Sequence, residues 1–116
     1  MKTNVKIQFD EKQLTERLKK KIELCQKVLD SQVLKDSNYF CPMYTSVLMK
    51  SGILYTVIGK GRIVWQTPYA DKQYYNFPKK SKTHNPNARM KWFEEAKSRH
   101  LKDWIKLVND TYNRNP

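Results

Sequence analysis

Leu14, Leu18, Ile22, Cys25, Leu29 and Val33 recur at spacings of four, four, three, four and four. That is the period of a helix burying one face, whereas a half-buried strand would alternate apolar and polar residues. Lysines and glutamates fill the opposite face. Asp10, with Gln13 three residues on, makes a capping-box pattern, so the helix is expected from about Glu11 to Val33. A second stripe closes the chain: Met90, Phe93, Leu101, Trp104, Val108 and Tyr112 project within a sector of roughly 100°. Asn85 followed by Pro86 supplies a cap and a proline at the first helical position, and this helix is expected to run to about Tyr112.

Shorter elements lie between the two stripes. Asn4 to Phe9 alternates, with Val5, Ile7 and Phe9 on one side, and reads as a strand. Asp36 to Tyr44 reads as a loop, and Thr45 to Lys50 as a short helix capped by Thr45 and stopped at Gly52. Ile53–Ile58 and Arg62–Gln66 flank Gly59-Lys60-Gly61 and read as a β-hairpin. Pro68 to Tyr75 suits a further short helix. Asn76 to Asn85 is polar, basic and turn-rich, the pattern of a mobile loop. The expected fold class is α+β: a small, mainly antiparallel sheet packed against two long helices plus short helices, in one domain over residues 1–116. The edge of such a sheet is either protected or used to pair with a neighbour.

The formal net charge is +12, from 23 Lys and Arg against 11 Asp and Glu. Such an excess concerns partners and not fold, and it suits either nucleic acid or an acidic protein. It clusters locally at Lys19-Lys20-Lys21 and at Lys79-Lys80-Ser81-Lys82. No apolar run is long enough for a membrane span, and the N-terminal residues lack a signal-peptide pattern, so a soluble protein without membrane partners is expected. Cys25 and Cys41 match no metal or redox spacing and are expected to be reduced core residues, which suits a reducing cytoplasm.

The sequence offers little for catalysis, and no enzyme, cofactor or metal site is expected. Gly59-Lys60-Gly61 lacks the length and the following Gly-Lys-Ser/Thr of a phosphate loop. His84 falls in the polar loop and His100 near the apolar face of the last helix, sixteen residues apart. Glu94 and Glu95 point in two directions around a helix. A small basic ribonuclease using His84 or His100 is the one enzymatic reading left open. Tyr69, Tyr74, Tyr75 and Phe77 precede Lys79, Lys80 and Lys82, an arrangement that could stack bases and hold phosphates, or equally pack on the sheet beside solvated lysines. Trp92, about 100° around the helix from Phe93, lies off the main stripe, where it could cover a second surface or contact a partner subunit.

Several blocks occur in a familiar order. Leu34-Lys35-Asp36-Ser37-Asn38-Tyr39-Phe40 is followed by Pro42 and by Thr45, Leu48, Ser51 and Gly52. Then come Trp65-Gln66-Thr67-Pro68-Tyr69-Ala70 with Tyr74-Tyr75, Asn85-Pro86-Asn87-Ala88, and Trp92-Phe93-Glu94-Glu95-Ala96. Over roughly residues 10 to 108 the chain resembles the small minor capsid proteins of siphophages and prophages of Gram-positive bacteria, in the wider group of neck proteins. Tyr44 and Ser46 stand where such proteins commonly carry Asp and Gly.

The resemblance implies a structural virion protein, built into a ring or sleeve between portal and tail, with neck, portal-side and tail proteins as partners. On that basis Tyr69, Tyr74, Tyr75 and Trp92 are expected at interfaces, and Lys79, Lys80 and Lys82 in a loop facing DNA or an acidic partner. A rival arrangement pairs the N-terminal strand with a neighbour's sheet edge. The alternative function is a small basic nucleic-acid-binding protein.

Overall fold

In the computed structural model the described residues are 1–9, 12, 14–41, 47–67, 70–75 and 91–114. They form, in chain order, β1 (Lys2–Asn4), α1 (Glu16–Tyr39), α2 (Val47–Tyr55), β2 (Arg62–Val64), α3 (Ala70–Tyr75) and α4 (Trp92–Arg114). The described part is thus mostly helical, with two long helices, two short ones and a two-stranded antiparallel sheet. The sheet is smaller than expected.

α1 and α4 pack against one another along the stripes that mark them. They run antiparallel: Lys21 lies over the ring of Tyr112, and Cys25 beside the Val108 carbonyl, while Asp36 meets Trp104 and Phe40 meets Arg99. α1 begins later than expected, with Thr15 as its cap accepting from the Leu18 N–H at 3.3 Å. It also runs six residues past Val33, to Tyr39. Asp and Asn usually weaken a helix by competing for its backbone, but here the Asp36 and Asn38 side chains are engaged elsewhere. Asp36 accepts from the Trp104 indole at 2.7 Å and from Gln32 at 3.0 Å. Asn38 accepts from the Trp65 indole at 2.8 Å. The Asp10–Gln13 capping box, the Thr45 cap, Pro68, and the Asn85-Pro86 start with Met90 lie outside the described residues.

The expected hairpin is not formed. Residues 53–55 belong to α2, and β2 pairs with β1, Lys2 opposite Val64 and Asn4 opposite Arg62. Backbone bonds from Trp65 to Met1 (2.8 Å) and from Val5 to Gly61 (2.7 Å) extend this ladder. The strand expected over Asn4–Phe9 is therefore shifted toward the N-terminus. Beyond Val5, a side chain replaces a strand partner: Gln26 of α1 donates to the Val5 carbonyl at 3.1 Å and accepts from the Ile7 N–H at 2.8 Å. The outer edge of β2 is closed by hydroxyls. Thr56 accepts from the Val64 N–H (3.0 Å) and donates to its carbonyl (3.3 Å), and Ser51 accepts from the Gln66 N–H (3.2 Å).

Gly52 does not stop α2, which continues to Tyr55. A Cβ there would stand 2.5 Å from the Trp65 indole nitrogen, so the glycine lets the helix approach β2. Trp65 anchors one continuous core with Val33, Ile63, Tyr74, Trp92 and Trp104, among others.

Within that core lies a buried carboxylate. Asp30 is fully buried. Its Oδ2 accepts from the Gly59 N–H (2.7 Å) and the Gly61 N–H (3.0 Å), and its Oδ1 from Gln26 (2.7 Å). Both glycines have positive φ, 103° and 75°, which turns two amides toward one anion. A Cβ on Gly61 would lie 2.9 Å from Lys6 Cα, so the turn also packs against the N-terminal segment. The turn expected at Gly59-Lys60-Gly61 is present, but it is clasped by a helix instead of joining two strands.

Candidate interaction surfaces

The aromatic residues expected at interfaces separate into two groups. Tyr74 and Trp92 are fully buried, which corrects their expected place at an interface and puts Tyr74 in the core. Trp92 stands edge-on to Trp65 (5.7 Å between centroids) and to Tyr74 (4.6 Å). The reason is the path into α4. The Lys91 N–H donates to the Tyr74 carbonyl at 2.7 Å, with Lys91 held in the left-handed region at φ 48°, so α3 covers the face of α4 that the stripe leaves out. Tyr75, by contrast, is 65% exposed. Tyr69, Lys79, Lys80, Lys82 and His84 lie outside the described residues.

The remaining chemistry-bearing groups are dispersed. His100 faces Asp103 at 3.4 Å and stacks on Trp104. Glu95 pairs with Arg99 at 2.9 Å. Among the described residues no cluster of His, Cys, Asp and Glu suits a metal ion. Cys25 and Cys41 are buried thiols and not a disulfide. Burial raises the Cys25 thiol above its ordinary value against the opposing charge of Lys21, and raises Cys41 well beyond the usual thiol range. A thiol held protonated is a weak nucleophile. Among the described residues no helix is long and apolar enough to cross a membrane.

Two apolar surfaces stand out instead. The first runs from the end of α2 into the following turn. Ile53, Leu54 and Val57 are 64%, 75% and 62% exposed, and Tyr55 and Ile58 are exposed as well. The one polar residue in this run, Thr56, is the one turned inward, onto β2. Five neighbouring apolar side chains facing water are unusual for an isolated subunit and mark a contact surface. The sequence signal lies in this run, apolar at every position but Thr56. Its local pattern is that of a strand, in which half of these side chains would be hidden.

The second surface is a groove of about 300 Å³ between the N-terminal segment, α1 and α4. Leu29, Val33 and Trp104 contribute to its floor, and Leu101 and Ile105, 43% and 53% exposed, line it from α4. Lys6 and Lys97 line it from the N-terminal segment and from α4, and no carboxylate among the described residues does so. Neither lysine forms an ion pair among the described residues. The basic run Lys19-Lys20-Lys21 is partly engaged, Lys19 with Glu16 at 3.6 Å and Lys21 with Tyr112.

A family model described as minor capsid protein matches residues 4–111, nearly the full chain. No curated protein and no solved structure matches it.

Proposed function

Because the chain belongs to the minor capsid protein family, and is therefore a structural component of a phage virion, we propose that it joins head and tail in the neck, its subunits set in a ring. The observation that carries this reading is the exposed apolar run Ile53–Ile58. Apolar area left in water by a folded subunit is stabilising once a neighbour covers it, at about 25 cal/mol per Å². A patch on one side of a subunit that meets a different surface of the next gives a head-to-tail contact, which closes into a ring when the rotation allows. Exposed Tyr75 is a further candidate for such a contact. A ring around a channel carrying DNA also gives the net charge of +12 a use, since phosphates attract it without sequence preference.

The reading is tested by electron microscopy of lysates from the parent phage with an early stop codon in this gene. Separated heads and tails are expected. Full heads would show that DNA is retained without the protein, and empty heads that it also seals the head. Normal joined, infectious particles would overturn the neck role and favour the nucleic-acid-binding alternative.

A further inference from the structure

We propose that the groove between the N-terminal segment and α4 is a docking site for an acidic amphipathic helix of a neighbouring protein. The proposal goes beyond the neck reading and does not depend on where in the virion the chain sits. The groove combines two features that select such a partner. Its floor and α4 wall are apolar, with Leu101 and Ile105 exposed although they sit beside the core residue Trp104. Its charged lining is of one sign, with Lys6 on one side and Lys97 on the other. A helix laid in the groove would bury apolar anchors at i, i+3 or i+4 and i+7 between these lysines and turn carboxylates toward both. Phe93 to Val108 spans about 22 Å of α4, the length of roughly four helical turns.

Other occupants fit less well. A second copy of this chain would have to set its own exposed apolar surface between Lys6 and Lys97. Its most exposed apolar run is flanked by the exposed Lys50 and Lys60, which would meet like charge at Lys6 and Lys97. Duplex DNA offers phosphates but nothing to fill an apolar floor.

The test uses the full chain and two fluorescein-labelled helical peptides of about four turns. One carries leucines at i, i+3, i+4 and i+7 with glutamates elsewhere, and the other has lysines in place of the glutamates. In fluorescence anisotropy the glutamate peptide is expected to bind at least about tenfold more tightly, and to weaken several-fold as salt is raised. Lys6→Glu combined with Lys97→Glu is expected to cost about tenfold in affinity, whereas Lys102→Glu on the same helix changes it less than about twofold. Ile105→Asp is expected to abolish binding while circular dichroism stays unchanged, since that side chain is half in solvent.

Equal binding of the two peptides, no binding of either, or indifference to the double charge reversal would each overturn the proposal. So would self-association in sedimentation that Ile105→Asp removes, which would make a second copy the occupant. Duplex DNA that displaces the peptide and depends on Lys6 and Lys97 would overturn it too, in favour of a nucleic-acid site.

Discussion

Asp30 and Leu54 invert the usual sorting of side chains in opposite senses. Asp30 is charged and 0% exposed, whereas Leu54 is apolar and 75% exposed. The carboxylate is tolerated inside because two turn amides and Gln26 satisfy it, and those bonds tie α1 to a turn about thirty residues away in sequence. The leucine has no such internal explanation, because nothing within the described chain covers it. A buried polar residue with all its partners at home belongs to the fold, and an exposed apolar run without them belongs to assembly.

That contrast can be broken by substitution. Asp30→Ala removes the acceptor of two partly or fully buried amides and is expected to cost about 3–5 kcal/mol in urea unfolding. Asp30→Asn, which keeps one acceptor oxygen, should cost less. Thr56→Val lies at the boundary between the two regions, since this side chain closes the edge of β2 beneath the exposed run. It is expected to cost about 1–2 kcal/mol, by leaving the Val64 N–H and carbonyl without a partner. Ile53→Glu with Leu54→Glu is expected to shift unfolding by no more than about 0.5 kcal/mol. The same variant should sharply lower the yield of joined particles when supplied in trans to the stop-codon phage. If it unfolded the chain instead, the run would belong to the core and the contrast would fail.

The sequence made the long helices legible because apolar stripes of helical period need no distant information. It also marked both cysteines as buried thiols and Gly59-Lys60-Gly61 as a turn. What it concealed depends on partners far away in the chain. The run Ile53–Ile58 followed by a glycine turn has every local mark of a hairpin, but β2 pairs with residues 2–4, and nothing near Arg62 announces that choice. The extension of α1 to Tyr39 rests on Trp65 and Trp104 accepting the roles of partners for Asn38 and Asp36. Gly52 looked like a terminator because the indole that requires its small size lies thirteen positions on. Trp92 looked like a surface residue because a helical projection shows only the neighbours a helix has along one stripe. The groove went unseen because its two lysines, Lys6 and Lys97, stand at opposite ends of the sequence.

The two thiols give the molecule a quiet chemical background. Cys25 and Cys41 are buried and held protonated, so alkylating reagents should leave the native chain largely unmarked. A single cysteine placed at position 54 would then be the one reactive handle per subunit. Cross-linkers of graded length attached there could measure, inside an intact particle, how far each subunit stands from the next and whose surface it touches.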